Sequence, residues 1–203
     1  MSQLNRMEWL IANLLKMARL EAGAITFNKG PVPLINPVMT AINLLRTKAD
    51  EKHQQICISS GSISGNVTSG SGFDGIGPSG SGFDASRPSG GAAARGEASA
   101  CFTGDEDWTA EALANILKNC IEHTGENGKI NIHLEETPIL SRVIISDNGE
   151  GIDRKDLPHI FERFYKGAGT VKTESVGIGL ALARLIIEEQ GGSLTVSSKK
   201  GKG

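Results

Sequence analysis

Apolar side chains recur at Leu4, Met7, Ile11, Leu14 and Ala18, a 3-4-3-4 spacing that predicts an amphipathic helix from residue 2 to about 22. Leu10, Leu15 and Met17 widen its stripe to a breadth suited to a two-helix hairpin or dimeric bundle, or to one helix packed on its own domain. Gly23 stops the helix, and Pro31, Pro33 and Pro37 punctuate the next stretch. A second helix is predicted from about Pro37 to His53, with Val38, Ala41, Ile42, Leu45 and Ala49 on one face. Ile56-Cys57-Ile58 then begins a strand.

The pattern fails between residues 59 and 99, where Ser, Gly, Ala and Pro dominate. GSGFDGIGPS at 70–79 is followed by GSGFDASRPS at 80–89, identical at seven of ten positions. So few apolar residues cannot offset the entropy of ordering. Excising 61–95 joins ICISS to GEASACFTGD, which predicts a strand-turn-strand hairpin interrupted by a late or disordered insertion.

Regular patterning returns at Asp107, read as the N-cap of a helix over Trp108–His123. Strands follow near Lys129–Glu135 and Arg142–Ser146, then a short helix around Asp156–Phe164. A polar Gly/Thr/Lys stretch leads to a helix from about Gly177 to Glu189, and Gly191-Gly192 turns into a last strand, Ser193–Ser197. Helices and strands mix without strict βαβ order, so the expected fold class is α+β, a two-layer α/β sandwich.

Composition narrows the function. The 203 residues carry 21 Lys+Arg against 23 Asp+Glu, a net charge of -2, so no bulk positive charge points to nucleic acid. No apolar run reaches the ~18 residues that span a bilayer, and no secretory signal opens the chain. Three cysteines without a CxxC pair argue against a disulfide scaffold or zinc finger and make a reducing cytoplasm the expected setting.

Four pieces could carry chemistry. Asn115 and Asn119 are four apart, so both amides lie on one helix face. Such a pair can be surface decoration or a cap, but an amide oxygen is also a hard, neutral ligand for a magnesium ion held by phosphates. Asp147-Asn148-Gly149-Glu150-Gly151 follows the strand VIIS directly. It reads as an Asp-Asn-Gly turn, or as an acid that hydrogen-bonds a ring amino group while glycine backbone approaches a flat base. Phe161-Glu-Arg-Phe164-Tyr165 holds three of the nine aromatics, as core packing or as a site wall. Gly177-Ile-Gly179-Leu180 opens a helix, where free N–H groups and a positive dipole end favour phosphate.

In this order and spacing the four pieces resemble the catalytic, ATP-binding domain of sensor histidine kinases. That domain shares its fold with gyrase, the mismatch-repair ATPase and a heat-shock chaperone. ALANILKNCIEHT is similar to the N box, DNGEGI to the first G box, FERFY to the F box and VGIGLALARLI to the second G box. The resemblance covers about residues 27–60 and 96–203, and implies a mixed sheet covered on one face by helices. It implies a nucleotide site made of Asn115, Asn119, Asp147, Gly149, Gly151, Ile152, Phe161, Phe164, Gly177, Gly179 and Leu180. Within it Asn119 would hold Mg2+ on the triphosphate of ATP, with Asn115 beside it as the second catalytic amide, and Asp147 would bind the adenine amino group. Arg163 and Lys166 are the candidate phosphate cations, and 165–176 the mobile lid. Glu122 departs from the pattern, since many members carry Lys there; a carboxylate near a triphosphate is unfavourable, so it is expected to point elsewhere.

Self-sufficient ATPases of this fold place a Glu, the general base for water, at the position of Asn115. An amide cannot accept that proton, so the resemblance implies transfer of the γ-phosphate rather than hydrolysis. The family acceptor is a histidine on a dimerisation hairpin, and none of His53, His123, His133 and His159 has that setting. Residues 1–26 resemble the second helix of such a hairpin, and 27–203 the ATP-binding domain, here without its last strand. The expectation is therefore a kinase fragment that needs its acceptor hairpin in trans, serves a response regulator, and can form a homodimer through residues 2–22. It would touch neither nucleic acid nor membrane, its parent being anchored in the inner or cell membrane. The alternative is a non-catalytic nucleotide-binding or partner-docking module of the same fold.

Overall fold

The computed structural model describes residues 3–62, 101–137, 139–167 and 176–201. The tandem repeat, most of the expected insertion and residues 168–175 of the expected lid lie outside the described residues.

Helix α1 spans Gln3–Glu21 and ends where the Gly23 N–H donates to the Leu20 carbonyl (2.9 Å). Strand β1, Gly30–Pro33, leads into helix α2, Ile35–Glu51, with Pro37 in the first turn, where a missing N–H costs nothing. Strand β2 is Gln55–Ser62, and beyond the undescribed segment β3 is Cys101–Gly104. Helix α3, Glu106–His123, strands β4, Lys129–Thr137, and β5, Leu140–Asp147, and helix α4, Gly179–Glu189, complete the order.

One layer is sheet, the other helix, as the expected α+β sandwich requires. Strands β2, β4 and β5 form a mixed sheet in that order, with β2 parallel and β5 antiparallel to the central β4. Strand β4 alternates, turning Ile130, Ile132 and Leu134 onto α2 and α3 and Asn131 and His133 outward. On the helical side Val38, Ala41, Leu45, Leu117 and Ile121 close this core. A second core joins α1, α3 and α4 through Met17, Leu20, Ala112, Leu182 and Ile186. Burying one such Leu or Ile side chain is worth about 1.5–3 kcal/mol, so these two clusters hold α3 firmly between sheet and α4.

Several expectations are corrected. The segments expected to form one hairpin belong to different sheets: β2 runs beside β4, while β3 pairs antiparallel with β1 in the register Gly30↔Gly104. Strand β1 was hidden by Pro31 and Pro33, which a two-stranded edge tolerates. Asp105, not Asp107, caps α3, its carboxylate accepting the Trp108 N–H at 3.1 Å. Residues 154–164 form successive turns rather than a helix. Bonds such as His159 N–H to the Asp156 carbonyl (2.9 Å) reach three residues back, and Pro158 has no N–H to continue a helix. Ser193–Ser197 joins no ladder. The tail is tied instead to the loop after β5, by Ile152 N–H to Ser198 Oγ and Gly201 N–H to the Glu150 carbonyl (both 2.8 Å). Of the broad stripe on α1, Met17 is buried with Leu10 and Leu14 packed beside it and beside the buried Leu20, whereas Met7, Ile11 and Leu15 stay exposed.

Candidate functional site

Helix α3 supplies the first wall. Its acidic first turn and the Asp105 cap suit the positive end of the helix dipole. Its far end is capped from the α2–β2 connection. Lys52 Nζ donates to the carbonyls of Ile121 (2.7 Å), Glu122 (3.0 Å) and Thr124 (3.3 Å), and Gln54 Nε2 to those of Thr124 (2.7 Å) and Gly125 (3.2 Å). With both ends fixed, the side of α3 opposite its core face presents Asn115, Lys118, Asn119 and Glu122 at i, i+3, i+4 and i+7 to a cavity of about 1500 Å³.

The opposing wall is the loop that leaves β5. Asp147 ends the strand half-buried, and its carboxylate accepts the Gly149 N–H at 2.9 Å, which holds the acid in a tight turn. Asn148 bonds back to Lys129 at the start of β4 (2.7 Å and 3.2 Å), so the turn cannot drift from the sheet. Glu150 Oε1 meets His123 Nδ1 at 2.9 Å, which ties the loop to the end of α3. Next to Asn119, the Cys120 thiol is buried and feels the charge of Asp147. Burial, and secondarily the Asp147 charge, push this thiol up to about 12.

The third wall brings together the two stems of the expected lid. The Phe164 N–H donates to the Gly177 carbonyl at 2.8 Å. Gly177 has φ +78°, and a Cβ there would lie 2.5 Å from the Tyr165 carbonyl, so only glycine fits. Tyr165 Oη donates to Asp156 Oδ1 at 2.8 Å, which raises the phenol pKa. Gly179 begins α4 directly beside Asn115. Asn115 Nδ2 donates to the Glu111 carbonyl (2.9 Å), leaving its Oδ1 turned toward Gly179.

Of the expected site residues, Asn115, Asn119, Asp147, Gly151, Ile152, Phe161, Lys166, Gly177, Gly179 and Leu180 line the one cavity. Gly149 shapes the Asp147 turn from behind without lining it. Arg163 and Phe164 do not line it either: Arg163 is ion-paired with Glu21 of α1, and Phe164 is exposed. Glu122, expected to point elsewhere, lines the cavity with Lys118 Nζ 3.8 Å from its carboxylate. Lys118 and the His123–Glu150 pair were missed from the sequence. The i+3 position of Lys118 relative to Asn115 was the signal for the first, whereas the second depends on loop geometry. Among the described residues no group of three or more His, Cys, Asp and Glu could hold a metal, and no helix is long and apolar enough to cross a membrane.

Known proteins resemble this chain in sequence over its second half and in fold. Residues 104–203 match the family model of histidine kinase-, DNA gyrase B-, and HSP90-like ATPases. The sensor histidine kinase YvrG of Bacillus subtilis (strain 168) is 34% identical over 99 residues, 48% of this chain and 17% of that protein. Sensor histidine kinase RppB of Synechocystis sp. is 36% identical over 102 residues, 49% of this chain and 22% of that protein. The chain thus spans about a fifth of the length of these relatives. Among solved structures, Acinetobacter baumannii histidine kinase AdeS has a TM-score of 0.67 at 17% identity, covering 98% of this chain and 76% of that one. Full-length ShkA in complex with AMPPNP has a TM-score of 0.66 at 22% identity, covering 95% and 33%. Over residues 104–203, just under half of its length, this chain is thus similar to the histidine kinase-, DNA gyrase B-, and HSP90-like ATPases.

Proposed function

We propose that the chain binds Mg-ATP and presents the γ-phosphate to a histidine on a separate sensor-kinase hairpin, from which it passes to a response regulator. The observation that carries this reading is the placement of Asp147 and the Asn115–Asn119 pair on opposite walls of one cavity, with the start of α4 beside Asn115. Asp147, fixed by the Gly149 N–H, would accept the adenine amino group. The first turn of α4 would meet the phosphates with free N–H groups and its positive dipole end.

The donor set fits magnesium. Asn119 offers a neutral amide to the cavity, and Asn115 Oδ1 is left available once its Nδ2 is spent on the Glu111 carbonyl. Bound there with ATP, the ion would supply neutralisation of charge on the phosphates. Asn115 cannot activate water, so the acceptor must bring its own base, which favours phosphotransfer over hydrolysis.

The test is to mix the chain with Mg-ATP and a purified acceptor hairpin carrying the family histidine. Acid-labile phosphate on the hairpin, dependent on Asn119 and Asp147, supports the proposal. Nucleotide binding without any transfer across a panel of hairpins supports instead a module that regulates by docking.

A further inference from the structure

The polar stripe of α3 contains one cation, and its position is specific. Lys118 stands at i+3 from Asn115 and directly before Asn119, and all three line the same cavity. Its ammonium lies 3.8 Å from Glu122 Oε1, with about three-quarters of both side chains covered (24% and 22% exposed). That separation is an ion pair at the edge of contact rather than a short charge-assisted hydrogen bond. Other carboxylates around the cavity have closer partners: Glu150 with His123 at 2.9 Å and Asp156 with Tyr165 at 2.8 Å. Glu122 is therefore the most loosely paired of these three carboxylates.

We propose that Lys118 is a phosphate-binding cation of this site, held in place by Glu122 and surrendered to the polyphosphate when nucleotide enters. This rests on the nucleotide reading above and adds to it a residue and a competition. An anion bearing several charges outbids a single carboxylate for the ammonium, and Glu122 is left to repel the incoming phosphates. The two residues thus act with opposite signs. Lys118 strengthens binding in proportion to phosphate number, while Glu122 weakens it by holding the cation back and by its own charge.

Calorimetric titration with AMP, ADP and AMPPNP in magnesium tests this on the wild-type chain, Lys118→Gln, Lys118→Arg, Glu122→Gln and the double variant, with thermal melts to show that each is folded. Lys118→Gln should weaken AMPPNP about tenfold, ADP less and AMP hardly at all, and Lys118→Arg should restore most of the loss. Glu122→Gln should tighten AMPPNP several-fold, and tighten it less when Lys118 is already Gln. Equal loss for all three nucleotides in Lys118→Gln, no loss, or weaker binding in Glu122→Gln would overturn the assignment. A folded wild-type chain that binds none of the three overturns the nucleotide reading itself, and this one with it.

Discussion

Gly179 stands against Asn115: a Cβ added at residue 179 would come 3.1 Å from Asn115 Oδ1. This contact joins two motifs more than sixty residues apart, and it sets stability against binding. Alanine at the first position of α4 favours the helix by up to about 1 kcal/mol over glycine. The same methyl must push the Asn115 amide off its place. Gly179→Ala is predicted to melt at the same or a higher temperature yet bind Mg-AMPPNP about tenfold more weakly, as melting curves and calorimetry together would show.

Cys120 carries a pH signature. Its thiol, raised to about 12 by burial and then by Asp147, keeps its proton in the folded chain where the unfolded chain loses it from about pH 9. Between those values the native state holds more protons than the unfolded state, so stability falls as pH rises through that window. Denaturant melts from pH 8 to 11 should lose stability progressively, and Cys120→Ala should lose less. Iodoacetamide near pH 8 should label Cys57 and Cys101, which are exposed, and leave Cys120 unlabelled until the chain is unfolded.

The end of α3 depends on two side chains from another element. Lys52 and Gln54 together accept the role of a C-cap, and Gln54 is buried. Removing Lys52 takes the side-chain donor from the Glu122 carbonyl. Removing Gln54 takes the second donor from the Ile121 and Thr124 carbonyls and empties a buried place. The loss is about 1–3 kcal/mol in each case. Lys52→Met and Gln54→Ala should each lower the melting temperature by several degrees, with nucleotide affinity falling only through the smaller folded fraction.

How much of this was readable beforehand follows the range of the interactions. The helices α2, α3 and α4 were legible because a 3.6-residue period is written within a dozen neighbouring residues. The Asn115–Asn119 spacing and the acid at the end of β5 were legible for the same reason. Pairing was not: nothing near Cys101–Gly104 says that its partner is a proline-bearing strand seventy residues earlier rather than β2. The alternation of Ser193–Ser197 reads as a strand, but a strand needs a ladder, and the tail spends its bonds on the Glu150–Ile152 loop. Arg163 read as a phosphate cation from its neighbours, while its partner, Glu21, comes from the far end of the chain.

Helix α1 leaves Met7, Ile11 and Leu15 exposed at 59%, 54% and 53%, spaced at i, i+4 and i+8 along one side. An uncovered stripe of this kind drives association. Sedimentation at rising concentration should show reversible dimers, and Ile11→Glu should return the chain to monomer. A wild-type chain that remains monomeric throughout would contradict a docking role for this face.

The central claim is that Asp147 and Asn119 serve one nucleotide from opposite walls of the cavity. Calorimetric titration of the wild-type chain with AMPPNP, with and without magnesium, tests it beside Asp147→Asn and Asn119→Ala. The account predicts binding that Asp147→Asn abolishes and that loses its magnesium dependence in Asn119→Ala. A cooperatively melting wild-type chain that binds no nucleotide, or an Asp147→Asn variant that binds as well as wild type, would contradict it.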